Sequence, residues 1–74
     1  MPKLPRISGR ECARALEKAG FYLKRHGKGD HMVYRRDEPF AQVTIPFHRE
    51  LDTGTLKSII QQAGLTVEEF IDLL

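Results

Sequence analysis

The sequence predicts an α+β fold in which a three-stranded antiparallel sheet carries two helices on one face. The predicted order is α-β-β-β-α, followed by a short C-terminal helix. Two segments repeat apolar residues at the helical period, and a glycine follows each. Three short runs between them have the composition and alternation of strands. Their connections are so short that the strands are expected to form an antiparallel meander.

The first helix is predicted within "SGRECARALEKAG". Ser8 is a good N-cap, and Glu11 lies three residues later, at the position that completes a capping box. Gly20 is the expected C-terminal stop, because glycine adopts a left-handed conformation at little cost. We interpret the single cysteine of this segment as a small buried residue and not as a reactive thiol. The apolar stripe of the helix consists of Cys12, Ala15, Leu16 and Ala19.

Three strands are predicted next. "FYLKRH" alternates, which places Phe21 and Leu23 on a buried side, and "GKG" is a turn whose two glycines are expected at positive φ. "HMVYRR" is rich in residues that favour strands. The third strand, "FAQVTI", ends at Pro46, which cannot donate a ladder hydrogen bond. One face of this strand consists of Ala41, Val43 and Ile45.

Two further helices are predicted after the sheet. "TGTLKSIIQQAG" ends at Gly64, and "TVEEFIDLL" opens with a second capping box, formed by Thr66 and Glu69. The last segment is acidic and apolar, so either it covers the core or it docks on a partner chain. The apolar stripes of the two helices are Leu56, Ile59, Ile60 and Ala63, and Val67, Phe70, Ile71 and Leu74.

Length and composition restrict the class of protein. Residues 1–74 are expected to form a single domain, and a chain with 41% hydrophobic and 30% charged residues is expected to be globular. No apolar run approaches the roughly 20 residues of a membrane span, and the N-terminus lacks the apolar core of a signal peptide. One cysteine suits a reducing cytoplasm. The cysteine and three histidines lack recognised ligand spacing, so no metal or other cofactor is expected.

Charge is distributed unevenly along the chain. Residues 1–36 carry a net charge of +7 and residues 37–74 a net charge of −5. A basic first half suits a polyanion such as nucleic acid, because phosphate contacts supply most non-specific affinity. The stretch "HGKGDHMVYRR" concentrates this charge beside histidines and glycines. The candidate phosphate-binding residues are Lys24, Arg25, Lys28 and Arg35.

The same stretch suggests acid–base chemistry. A histidine at the start of a strand titrates near neutral pH, and flanking cations would favour an anionic transition state. Such a site can activate a ribose 2′-hydroxyl to attack its neighbouring phosphate. A basic hairpin with an exposed histidine and no chemical role accounts for the same residues.

The chain resembles the HicA family of toxins, the mRNA interferases of HicA–HicB toxin–antitoxin pairs. The resemblance covers nearly the whole chain as a single HicA-like domain and includes "LEKAGFYLKRHGKGDHMVYRR", "IPFH" and "GTLKSIIQQAGL", with a G-x-H element at Gly29–His31. It implies a fold similar to double-stranded-RNA-binding domains, ribosome-independent RNA cleavage, and neutralisation by a HicB antitoxin that covers the active site.

The resemblance also implies site residues. The family's functional histidine corresponds to His31, which would act as the general base toward the 2′-hydroxyl. The commoner family form has a serine before it, where this chain has Asp30, a carboxylate able to hold the ring but also to repel phosphate. Gly29, Asp30 and His48 are supporting candidates, although a structural role for His48 in its loop is the favoured interpretation. Tyr34 is expected to pack within the sheet.

RNA and a HicB-like antitoxin are therefore the expected partners, with no membrane association. The oligomeric state is open between a homodimer and a hetero-oligomer with the antitoxin. Two alternatives to the enzyme are a non-catalytic RNA-binding module of the same fold and a protein-interaction domain that uses its acidic terminal helix.

Overall fold

A computed structural model describes residues 3–74 and confirms the predicted class and order of elements. Three strands form one antiparallel sheet in the order β1-β2-β3, with α1 before it and α2 and α3 after it. The elements are α1 (Gly9–Lys18), β1 (Tyr22–His26), β2 (His31–Asp37), β3 (Phe40–Pro46), α2 (Thr53–Gln62) and α3 (Val67–Leu73).

Side chains cap the start of every helix. In α1 the Ser8 hydroxyl accepts the Glu11 amide at 3.1 Å, and the Glu11 carboxylate accepts the Ser8 amide at 2.9 Å. Thr66 and Glu69 form the same capping box at α3, as the sequence predicts. The Asp52 carboxylate caps α2 by accepting a backbone amide of its first turn. Those amide hydrogen bonds lower the pKa of both Glu11 and Asp52 below their ordinary values.

All three helices share one core with one face of the sheet. The predicted stripe residues of α1 and α2 are buried there, apart from the half-buried Ala19. Burial raises the pKa of the Cys12 thiol to about 12, which fits a buried apolar residue and not a reactive one. Phe70 is fully buried, so α3 covers the core. The strand residues of the core are Tyr34, Ala41, Val43 and Ile45.

The prediction that β1 buries one side is wrong. Every residue of β1 is exposed, and Leu23 is 43% exposed. β1 is an edge strand that pairs only with β2, and its register shifts between Leu23 and Arg25. Because α1 and α2 pack on β3 at the opposite edge, no helix covers β1. Phe21, just before the strand, is buried as expected.

The turn between β1 and β2 uses its two glycines differently from the prediction. Only Gly29 has a positive φ, of 64°. At Gly27 the requirement is space, because its amide donates to the His31 carbonyl at 2.7 Å and a Cβ would lie 3.1 Å from that oxygen. This hydrogen bond closes the turn between Gly27 and His31, the first residue of β2.

The register of β2 places His31 on the face of the sheet that the helices leave open. Met32 and Tyr34 pair with core residues of β3 and face the helices, so His31 and Val33 face away from them. Val33 is 3% exposed yet lies outside the core cluster, and it pairs with Arg25 of β1 and Thr44 of β3. Within residues 3–74, no helix is long and apolar enough to cross a membrane.

Candidate functional site

His31 begins β2 directly after the glycine turn, with its side chain 48% exposed. Its Nδ1 atom lies 3.0 Å from the carbonyl oxygen of Lys28. A carbonyl oxygen only accepts, so we assign Nδ1 as the donor of this hydrogen bond. The neutral ring then carries its lone pair on Nε2, the nitrogen that is able to accept a proton.

A single carboxylate connects His31 to a second histidine. The Asp30 Oδ2 atom lies 3.0 Å from His48 Nε2 and its Oδ1 atom lies 3.5 Å from His31 Nδ1, both at ion-pair distance. All three side chains are about half exposed. We call Asp30, His31 and His48 the His–Asp–His cluster. The sequence favoured a structural role for His48 and did not indicate its contact with Asp30.

Backbone contacts bring His48 to this position. The Phe47 amide donates to the Asp30 carbonyl at 2.9 Å, and the Gly9 amide donates to the His48 carbonyl at 3.0 Å. A Cβ at Gly9 would collide with the carbonyl oxygen of Pro46 and approach Phe47 Cα to 2.8 Å. The first residue of α1 must therefore be a glycine for the loop after β3 to pack against it. The sequence contains one indication of this contact: Gly9 lies in the first turn of a helix, where an alanine would make the helix more stable.

Three of the four predicted phosphate-binding residues precede the cluster in the chain. Lys24, Arg25 and Lys28 are exposed on β1 and the turn, and none forms an ion pair within the described residues. Arg35 lies four residues after His31 on the same strand, or about 13 Å away at the rise of a β-strand. Its Nε atom donates to an Asp37 carboxylate oxygen at 2.7 Å, so its charge is already partly compensated.

Two further cations lie beside His48. Arg10, from α1, and Arg49, from the loop after β3, line a surface hollow together with His48, Ser8 and Phe47. The Arg10 guanidinium lies 5.4 Å from the centre of the Phe47 ring. In residues 3–74 neither arginine is paired with a carboxylate. Sequence reasoning missed this hollow because α1 and the loop are some 40 residues apart.

The remaining candidates lie outside the cluster. Tyr34 is 6% exposed and stacks on Phe47 with ring centres 6.5 Å apart, which confirms its packing role. Burial raises the pKa of its phenol. His26 ends β1 opposite Met32 and remains without an assigned role. Across residues 3–74 no group of three or more His, Cys, Asp or Glu side chains is arranged to hold a metal ion.

The chain matches the model of a known protein family. The model of the family described as the HicA toxin of bacterial toxin–antitoxin matches residues 9–65. This range runs from the glycine that begins α1 to Leu65, three residues after the end of α2, and includes the whole His–Asp–His cluster. None of the curated proteins compared with the chain matches it.

Proposed function

Because the chain belongs to the HicA toxin family, and is thereby the toxin of a toxin–antitoxin pair, we propose that it is a metal-independent endoribonuclease. In this proposal it cleaves mRNA without the ribosome, in the cytoplasm, with His31 as the catalytic base. The family implies an antitoxin partner, and the proposal identifies that partner as a HicB-like protein that covers the active site.

One observation carries the proposal, namely the exposed ring of His31 with Nδ1 held by the Lys28 carbonyl. A general base must be reachable by substrate and must have its accepting nitrogen unoccupied. The ring at position 31 meets both requirements, since its Nε2 atom makes no hydrogen bond within the described residues. A buried or doubly hydrogen-bonded ring would meet neither.

The proposed reaction is an internal transfer at one phosphodiester. His31 Nε2 takes the proton of a ribose 2′-hydroxyl, and the 2′-oxygen attacks the adjacent phosphorus. The bond from phosphorus to the 5′-oxygen of the next nucleotide breaks, which leaves a 2′,3′-cyclic phosphate and a 5′-hydroxyl. A positioned base contributes on the order of 10²–10⁴-fold to such a step. The departing 5′-oxygen must gain a proton as it leaves.

Exposed positive charge on the sheet supports RNA as the substrate. Lys24, Arg25 and Lys28 offer unpaired cations on the side of β1 and the turn, and Arg35 extends this surface along β2. The Asp30 carboxylate would repel a phosphate, but its contact with His48 offsets that repulsion whenever the ring of His48 is protonated.

The proposal is tested by cleavage of an RNA and of a copy with 2′-deoxy substitution, in buffer containing EDTA. We expect the wild type to cut only the RNA, and His31→Ala to lower the rate by about 10²–10⁴-fold. His26→Ala, a matched removal of another exposed histidine, should retain wild-type rates. Equal cutting of both substrates, or loss of cutting in EDTA, would contradict the mechanism.

Expression in a bacterial host separates the enzyme from the non-catalytic alternatives. The enzyme should arrest growth in its wild-type form and lose this effect as His31→Ala, with rescue by a co-expressed HicB-like antitoxin. If the protein were instead an RNA-binding or protein-interaction module, the His31→Ala variant would be as toxic as the wild type, because binding to RNA or protein does not require the imidazole.

A further inference from the structure

We propose that His48 is a second catalytic residue, the general acid that protonates the departing 5′-oxygen. This inference rests on the proposed function, and it assigns the proton donor that the reaction requires. Three observations carry it. His48 contacts Asp30, the two histidines use different ring nitrogens to contact protein oxygens (Nδ1 in His31 and Nε2 in His48), and two arginines lie beside His48.

Asp30 lies beside one nitrogen of the His48 ring. The His48 Nε2 atom is 3.0 Å from Asp30 Oδ2, at ion-pair distance, and because an ionised carboxylate offers only lone pairs we assign a proton to this nitrogen. The second nitrogen, Nδ1, makes no hydrogen bond within residues 3–74. In the protonated ring Nδ1 also carries a proton, and this is the proton available for transfer.

The two histidines of the cluster are held by different acceptors. His31 donates to the neutral carbonyl of Lys28, and the 3.5 Å from its Nδ1 to Asp30 is too long for a good hydrogen bond. His48 Nε2 lies 3.0 Å from the carboxylate itself, so the negative charge of Asp30 compensates the ring of His48 when that ring is protonated. His48 therefore faces a charged group and His31 a neutral one, and we assign the acid to His48 and the base to His31.

The hollow beside His48 is suited to an RNA phosphate. Arg10 and Arg49 line it together with His48, and guanidinium groups bind phosphate oxygens through paired hydrogen bonds. A phosphate held there would lie next to the ring of His48. The charged groups that the structure places beside this ring are Asp30, Arg10 and Arg49.

The step balances as follows. The 2′-hydroxyl proton passes to His31 Nε2 as the 2′-oxygen bonds to phosphorus. As the bond from phosphorus to the 5′-oxygen breaks, the bonding pair stays on that oxygen, which takes the Nδ1 proton of His48. One proton enters the protein at His31 and one leaves at His48, so no further reactant is needed.

A sulfur substitution at the leaving atom tests this assignment. The bond that the wild type cuts most is first mapped, and the same RNA is then made with sulfur in place of the bridging 5′-oxygen. A thiolate leaves without protonation, so an acid is dispensable for this substrate. We expect His48→Ala to be slower than wild type by about 10²–10⁴-fold on the oxygen substrate and to approach wild-type rates on the sulfur substrate. His31→Ala should stay slow on both.

A second variant separates an acid from a positioning residue. His48→Gln retains a hydrogen-bond donor for Asp30 but cannot transfer a proton, so we expect it to match His48→Ala on both substrates. Folding is monitored by circular dichroism and thermal unfolding, because only the backbone carbonyl of His48 supports α1 and the exposed side chain is removable.

Three results would overturn the inference: wild-type rates for His48→Ala on the oxygen substrate, equal slowing of His48→Ala on both substrates, or wild-type rates for His48→Gln. Each of these leaves the proposed function standing, since the wild type and His31→Ala still behave as expected. If the wild type fails to cut RNA, or cuts the 2′-deoxy copy equally, the proposed function itself fails and this inference with it.

Discussion

Asp30 has two opposing effects on the proposed reaction, and both come from one carboxylate. Its Oδ2 atom lies 3.0 Å from His48 Nε2, where it compensates a protonated ring, and its negative charge would repel a phosphate that binds at the cluster. The resemblance to the HicA family gives serine as the commoner residue here. A serine hydroxyl carries no charge, so it would neither repel phosphate nor compensate a protonated imidazole.

The two effects are separable by Asp30→Asn, which keeps the shape of the side chain and removes its charge. We expect kcat to fall about 10- to 100-fold, because a protonated His48 loses the charge that compensates it, while KM for RNA falls or stays unchanged. Steady-state cleavage of a short RNA measures both parameters. Asp72→Asn, an isosteric change at an exposed position on α3, is the control. A raised KM with unchanged kcat would show that Asp30 serves binding and not the chemical step.

Local sequence was sufficient for part of this cluster. Asp30 and His31 are neighbours in a glycine turn, so their proximity needs no tertiary information. His48 is 17 residues after His31, and it reaches Asp30 only because the Phe47 amide bonds the Asp30 carbonyl and Gly9 lets α1 approach. No periodicity encodes such contacts. The same holds for Arg10 and Arg49, which no spacing rule would place in one hollow.

Among the elements, β2 carries the residue that joins the two long helices. The Arg36 guanidinium lies 3.1 Å from the Ala63 carbonyl at the end of α2 and 3.4 Å from the Ala19 carbonyl at the end of α1. It also donates to Pro39 at 2.9 Å and lies 4.7 Å from the centre of the Phe21 ring. Cations at helix C-termini are favourable, and here one side chain serves two helices.

We therefore expect Arg36→Ala to lower the free energy of unfolding by about 2 kcal/mol, because part-buried carbonyls lose their donor. Arg36→Lys should lie between, since an ammonium group cannot reach several acceptors at once. The matched control is Arg35→Ala, whose exposed pair with Asp37 contributes about 0.2–1 kcal/mol. Urea unfolding followed by circular dichroism measures all three variants. Equal losses for Arg35→Ala and Arg36→Ala would contradict the role of Arg36.

The ends of the helices could be predicted because they depend on residues close together in the sequence. The burial of a strand could not be predicted in this way. The capping boxes at Ser8 and Thr66 and the positive φ of Gly20 and Gly64 depend on residues within one turn, and the structure has them all. The exposure of Leu23 depends on which strand lies at the edge and on where the helices pack. The alternation of apolar and polar residues is the same in an edge strand as in a central strand, so it does not show which of them is buried.

At the scale of the whole molecule, α3 completes the core of a very small domain. Phe70 is fully buried where α3 meets α1 and α2, and it is the largest side chain with no exposure to solvent. In a domain of 74 residues the core supplies roughly 3–5 kcal/mol of net stability. The sequence left open whether α3 covers the core or docks on a partner. The burial of Phe70 shows that it does the first, so the protein should depend on α3 even without a partner.

Phe70→Ala should accordingly cost about 3–5 kcal/mol, the usual penalty for emptying a buried aromatic site, and leave the isolated protein largely unfolded at 25 °C. Phe70→Leu, a smaller volume change, should lower stability by about 1–1.5 kcal/mol and keep the fold, so the loss is measurable by urea unfolding. Leu74→Ala, at the 47% exposed end of the same helix, should stay within about 0.5 kcal/mol of wild type. If α3 only docked on a partner chain, the Phe70→Ala and Leu74→Ala variants would unfold at the same urea concentration. A large difference between them, measured without any partner, means that α3 belongs to the core of this chain.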